Sequence, residues 1–219
     1  MGKEDHKLSK AELRRKAVFE VVKAGLEEEG YQTKELTMST LAANVLAIVA
    51  ALPPIVILIG VFRMLNPQAK GLSGEMSDLL LFLVAFMILV VVHELIHGIT
   101  WGLCAKSGFK SIEFGVIWEY VTPYCTCSEP LKKGQMVFGA LMPTILLGVI
   151  PGIIACIIGS TDLVYMAGAM MLGGGADIMI TGKILRYKSG KGALYHDHPY
   201  KVGTIVFEKT RNDEDEKRS

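Results

Sequence analysis

Charge is nearly missing from the middle of this chain. The 48 residues from 135 to 182 hold two acids, Asp162 and Asp177, and no lysine or arginine. So long a gap excludes an intrinsically disordered chain, which stays unfolded by being charged and poor in apolar residues. It also argues against an ordinary soluble enzyme. Cysteine is scarce, four in 219 residues. Two of these, Cys104 and Cys156, lie in apolar runs, so no disulfide scaffold follows. Net charge is close to nil, with 23 basic against 22 acidic side chains. Nothing therefore points to a nucleic-acid partner. A cleavable signal peptide is not expected either, because the first 38 residues are charged and the first apolar run comes late and is long.

Apolar length is what the chain has instead. Hydrophobic residues make up 51% and the mean hydropathy is +0.38, above a soluble average. The charges gather at the ends, 16 in residues 1–37 and 15 in residues 183–219. Four runs reach the roughly 20 apolar residues a bilayer requires: about 39–61, 78–104, 136–158 and 163–185. None shows the polar stripe of a soluble amphipathic helix. Pro53, Pro54, Pro143 and Pro151 fall inside them, which neighbouring groups in a membrane bundle tolerate. The expectation is an all-α integral membrane protein with four transmembrane helices. A short cytoplasmic β-hairpin and an N-terminal amphipathic helix over about 11–28 accompany them.

Lysine and arginine then set the orientation. With both termini in the cytoplasm, 21 of the 23 basic residues lie inside, and only Arg63 and Lys70 lie outside. The expected organisation is a cytoplasmic segment 1–38, a four-helix core 39–185 with the hairpin in loop 105–135, and a cytoplasmic tail 186–219. The end of that tail, 212–219, reads as disordered. The expected location is the cell membrane.

Charges inside a spanning helix are costly and mark function. Here they are His93, Glu94, His97 and Asp177. The first three form HELIH. Residues i and i+4 share a helix face, so both imidazoles can reach one Zn2+, with Glu94 beside it. Zinc lowers the pKa of a water ligand to near 7, and a neighbouring carboxylate can take the proton. The plain alternative is a buried polar cluster that joins helices by hydrogen bonds. Asp177 is the candidate third ligand. At about 1.5 Å per residue it lies roughly 9 Å inside Lys183, close to the depth of His97 below Lys106. Gly173–Gly175 would thin the helix just before it. A lone aspartate joining two helices is the alternative.

At this point the sequence resembles the site-2 protease class of intramembrane zinc metalloproteases. More closely it is similar to a small prokaryotic membrane family described as "putative zincin peptidase", a domain of unknown function. The resemblance covers about 79–207. It rests on HELIHG (93–98), SEPLKKGQ (128–135), Pro143, GGGAD (173–177) and DHP (197–199). It implies zinc held by His93, His97 and Asp177, with Glu94 as catalytic acid and base. Asp177 stands in Ala176-Asp177-Ile178, where the site-2 class has an LDG-like element.

Other features are less specific. Ile112, Phe114, Val116, Trp118 and Tyr120 alternate at period two, a strand signal. Ile112, Phe114, Val116 and Trp118 are the candidate substrate-binding face, since a hairpin near the metal can pair with an unwound peptide. A hairpin that only covers the bundle fits equally well. Cys125 and Cys127 read as reduced structural thiols. His196-Asp197-His198 reads as a surface turn, or as a segment folded back over the mouth of the site. The run 202–208 reads as a short strand.

Two functions follow. The first is a zinc endopeptidase that cleaves a membrane-embedded or membrane-tethered substrate near the cytoplasmic face. The second is a non-catalytic metal-binding scaffold, a pseudoprotease that holds client helices. Glu94 favours the enzyme, because a purely structural site does not need it. The expected partners are the lipid bilayer and a membrane protein or peptide substrate.

Overall fold

The computed structural model describes residues 8–71, 75–117 and 122–209. Trp118, Tyr120 and the tail 212–219 lie outside them. The chain begins with α1 (Lys10–Glu28) and β1 (Tyr31–Met38), followed by two long apolar helices, α2 (Thr40–Leu65) and α3 (Met76–Cys104). A hairpin of β2 (Ile112–Ile117) and β3 (Thr122–Cys127) comes next, then the two-residue strand β4 (Leu131–Lys132). Helices α4 (Lys133–Thr144) and α5 (Ile150–Ile158) are joined through a π-helical turn at Ile145–Val149. Helices α6 (Thr161–Gly173) and α7 (Gly175–Arg186) and strands β5 (Leu194–Asp197) and β6 (Val202–Lys209) complete the chain.

The fold is mixed α/β, which corrects the all-α expectation. Among the described residues there are two antiparallel sheets, a four-stranded one in the order β1-β6-β5-β4 and the hairpin β2-β3. The expected hairpin is there. The larger sheet arises because the two charged ends meet: all eight residues of β1 pair with β6, from Tyr31 opposite Lys209 to Met38 opposite Val202. Gly203 in β6 has φ +134°, and a Cβ there would come 2.4 Å from the Leu36 carbonyl oxygen, so only glycine fits.

Among the described residues three helices, not four, are long and apolar enough to cross a membrane: Thr40–Leu65, Met76–Cys104 and Lys133–Ile158. In the most apolar window of α3 only 6% is buried inside the protein. Its apolar side chains therefore face outward, as in a helix solvated by lipid. The fourth expected span is broken into α6 and α7, which meet at a 51° bend. The cause lies in Gly173-Gly174-Gly175. Glycine is a weak helix former, and here it also permits two close approaches. A Cβ on Gly174 would fall 2.1 Å from the Thr144 hydroxyl, and one on Gly175 would fall 2.4 Å from the Ala47 carbonyl oxygen.

Two buried clusters hold the ends of the bundle. Trp101, Leu131, Met136, Ala140, Ile184, Tyr195 and Val206 join the helix ends to the large sheet. Leu58, Phe62, Ala155, Val164 and Met171 pack at the opposite end. Helix α1 starts with a capping box, in which the Ser9 hydroxyl accepts from the Glu12 amide and the Glu12 carboxylate accepts from the Ser9 amide. It rests on the sheet through Phe19, which packs on Ile205 and Phe207. Leu13, Val18 and Val21 point outward.

Candidate metal centre

The break at Gly174 starts a new helix, and Asp177 sits in the first turn of α7. Anions are favoured at that position by the unpaired amides of the helix start. The helix delivers the carboxylate to α3, where His93 and His97 lie one turn apart and buried. His93 Nε2 is 3.1 Å from Asp177 Oδ2, His97 Nε2 is 3.2 Å from His93 Nε2, and His97 Nε2 is 3.5 Å from Asp177 Oδ2. Among the described residues these three form the one group of three or more such side chains placed to hold a metal ion.

The spacing fits zinc. Ligand atoms about 2.0–2.1 Å from a tetrahedral ion stand about 3.3–3.4 Å apart, and the three separations straddle that value. The donor set, two imidazoles and a carboxylate, is that of catalytic zinc sites with one open position.

The orientation of His97 is set from outside the triad. Its Nδ1–H donates to the Gly139 carbonyl at 2.9 Å, which leaves Nε2 as the lone-pair atom facing Asp177 and His93. The Gly139 carbonyl is accessible because Pro143, four residues on, has no N–H to return to it. Gly139 also admits the Trp101 indole, since a Cβ there would fall 2.0 Å from its Nε1. The indole stacks on the His97 ring, with centroids 4.8 Å apart and planes at 14°, and donates to the Met136 carbonyl.

Glu94 follows His93 on α3. It lines a cavity of about 290 Å³ together with the three ligands and faces the Cys125 backbone amide. The remaining walls come from Trp101, Met136, Ala140, Gly173, Ala176, Ile180 and Ile184, from Thr122, Pro123, Tyr124 and Cys125 of β3, and from Asp197. Four consecutive residues of β3 line the cavity. Side chains alternate across a strand, so the cavity runs along the edge of β3 rather than one of its faces.

The structure places the four substrate-binding candidates differently from one another. Ile112 and the tip of the Phe114 ring touch α3 at Gly98, where a Cβ would fall 2.3 Å from the Phe114 ring. Phe114 is otherwise exposed, as is Val116, and Trp118 lies outside the described residues. The strand along the cavity is β3. Its signal in the sequence is only that it must pair with β2.

Cys125 and Cys127 are free thiols. Burial, and then the charges of Glu94 and Asp197, push the Cys125 thiol well above its ordinary range. Burial also raises Cys127. Protonated thiols are poor metal ligands. His198 organises a turn: its Nδ1 accepts from the Tyr200 and Lys201 amides, and its Nε2 lies 3.7 Å from Glu35. Asp197, between the two histidines, lies in the segment read either as a surface turn or as folded back over the mouth of the site, and it lines the cavity. Burial raises its pKa above the ordinary aspartate value. The element DHP was its only signal.

A family model described as "Putative zincin peptidase" matches residues 86–191. The matched segment contains His93, Glu94, His97, the hairpin and Asp177, and ends before Asp197. No curated protein matches the chain, and no solved structure does.

Proposed function

We propose, for a chain whose residues 86–191 match the model of a family described as "Putative zincin peptidase", that it is a zinc-dependent endopeptidase acting at the membrane. It hydrolyses a peptide bond of a membrane-embedded or membrane-tethered substrate near the cytoplasmic face. The observation that carries this reading is the convergence of the His93, His97 and Asp177 ligand atoms with Glu94 in one cavity at the end of three apolar helices.

Zinc bound there supplies a Lewis acid and a water of lowered pKa. The side chains supply the rest. Glu94 takes the proton of the attacking water and passes it to the nitrogen of the departing amine. His97 is held in one tautomer by Gly139, so no proton competes for its Nε2. The apolar walls of Trp101, Met136, Ile180 and Ile184 limit bulk water. The edge of β3 away from β2 has no strand partner among the described residues. An extended peptide can add there through its backbone, which presents a scissile bond that a helix would shield.

The cytoplasmic side follows from charge. Segments 1–38, 105–135 and 183–219 carry 21 of the 23 lysines and arginines and gather at one end of the apolar helices. Lys183 is fastened there, donating to the Leu36 and Thr37 carbonyls.

The test is zinc content and cleavage in purified full-length protein, wild type beside Glu94→Gln, with dye-quenched casein and a tethered membrane peptide as probes. Zinc in both, with cleavage reduced about 10²- to 10⁴-fold in the variant, is the expected result. Cleavage that survives Glu94→Gln overturns the mechanism, and wild type without zinc overturns the reading.

A further inference from the structure

Asp197 has a carboxylate that the chemistry above does not use. It ends β5, more than a hundred residues after Glu94 in the chain, yet it lines the same cavity as Glu94 and the three ligand residues. The strand brings it there for a structural reason. Strand β5 is held between β4 and β6, with Leu194 opposite Phe207 and Asp197 opposite Thr204. Its end abuts β3, where the Thr126 hydroxyl donates to Asp197 Oδ2 at 3.2 Å.

That bond fixes the carboxylate without exhausting it. An ionised carboxylate offers about four lone-pair sites. One is occupied by the Thr126 hydroxyl, and the residue borders the cavity where a peptide bound along β3 would pass. The other wall residues are those of β3 itself, apolar side chains of the helices, or residues on α3 and α7 around the ligands. A half-buried acceptor with free lone pairs must either keep ordered water or receive a donor from what binds.

We infer that Asp197 is a substrate-positioning residue whose carboxylate accepts an N–H of the bound peptide, either a backbone amide or a terminal ammonium. The inference rests on the peptidase reading and deepens it. The triad and Glu94 act on the scissile bond, while Asp197 grips the chain on the side away from α3 and fixes its register along β3. It also gives the sheet made by the two chain ends a part in recognition.

The experiment uses full-length, zinc-loaded protein in detergent and two probes, a dipeptide hydroxamate with a free amino terminus and its N-acetyl form. Both chelate the metal, so their binding reads the substrate groove without needing turnover. The variants are Asp197→Asn and Thr126→Val. In Asp197→Asn the amide oxygen stays with Thr126 and turns an NH2 to the cavity. Thr126→Val removes the bond between sheet and hairpin but leaves the carboxylate.

Asp197→Asn is expected to keep its zinc and its melting temperature and to lose about 10- to 100-fold in hydroxamate affinity, the range for a hydrogen bond to a charged group. In the casein assay the loss should fall on KM more than on kcat. Loss with both probes identifies a backbone N–H, and loss confined to the free-amine probe identifies a terminal ammonium; either supports the inference. Wild-type affinity in Asp197→Asn overturns it. So does a Thr126→Val variant with the same affinity loss and a matching drop in melting temperature, which makes the role structural. So does loss of zinc from Asp197→Asn. Failure of the wild type to load zinc or bind either hydroxamate is instead the failure of the peptidase reading.

Discussion

His97 donates its Nδ1–H to the carbonyl of Gly139, and Pro143 is the reason that carbonyl is free to accept. A proline that would weaken a soluble helix thus supplies the fixed partner of a metal-ligand imidazole. Replacing Pro143 by alanine restores an N–H four residues after Gly139, and the helix competes for its carbonyl. Zinc affinity should fall about 10- to 100-fold in competition with a chromogenic chelator, with the melting temperature unchanged or raised. Unchanged affinity would show that His97 needs no such partner.

Asp177 is the third corner of the candidate metal triangle, its Oδ2 3.1 and 3.5 Å from the two imidazoles. Asp177→Ala should lower bound zinc from about one per chain to well below one, read by elemental analysis after dialysis against chelator. A variant that still holds one zinc would remove Asp177 from the ligand set.

The bend between α6 and α7 depends on missing Cβ atoms. Gly175→Ala sets a methyl 2.4 Å from the Ala47 carbonyl oxygen, a backbone atom that cannot rotate away. Gly174→Ala meets the Thr144 side chain instead, and that can be shortened. Both variants should cost about 1–3 kcal/mol and release zinc. The double variant Gly174→Ala with Thr144→Ala should recover part of the loss, while Thr144→Ala added to Gly175→Ala should recover none. Equal recovery in both pairs would refute the packing account.

Stability should fall on mild acidification through His198. Burial holds its pKa down to about 4, against an ordinary 6.5, although Glu35 pulls the other way. Above pH 6.5 the imidazole is neutral whether folded or unfolded, and its full contribution is present. As the pH falls from 6.5 towards 4 the unfolded chain takes up a proton that the folded chain refuses, so stability is lost across that window and levels off below it. Melting temperature followed from pH 7.5 to 4 should show this loss, and His198→Gln should flatten it. Parallel curves would place the acid sensitivity elsewhere.

Arg15 ties α1 to the cavity wall. Its guanidinium lies 4.4 Å from the Tyr124 ring centroid, and its Nε donates to the Pro199 carbonyl at 3.1 Å. Tyr124 lines the cavity. Arg15→Ala should raise amide hydrogen exchange across β3 and lower stability by about 1 kcal/mol. Arg15→Lys should restore little, because an ammonium lacks the planar fork. Unaltered exchange in β3 would make the helix a bystander.

Much of the site is legible in one sequence because its chemistry is local. His93, Glu94 and His97 share a few turns of one helix, and their spacing alone sets their face. Asp177 was legible by depth, since a lone acid in an apolar run has few partners. The bend at Gly174 was not, because hydropathy sums over a broken helix as it does over a straight one. Composition does not show that Thr144 and Ala47 occupy the space a Cβ would need. The large sheet was hidden for a similar reason. Tyr31–Met38 holds four polar residues in a row, Gln32 to Glu35, with no period-two signal, and only pairing with β6 makes it a strand. The period-two signal in 112–120 located the hairpin but not which strand meets the cavity, because both strands of a hairpin carry the same period.

Strand β1 and strand β6 are adjacent in space and far apart in time. Tyr31 pairs with Lys209, 178 positions later, a closure that slow, non-local pairing must complete last. Synthesis runs from the N-terminus, so β1 waits without its neighbour while helices α2 to α7 are made. Strand β5, with Asp197, cannot be seated until β6 arrives beside it. The ligand triad is assembled once α7 has formed, but the wall opposite it closes only when the last strand leaves the ribosome. A nascent chain therefore carries an incomplete cleft, and the finished one carries a cavity walled on that side by Asp197.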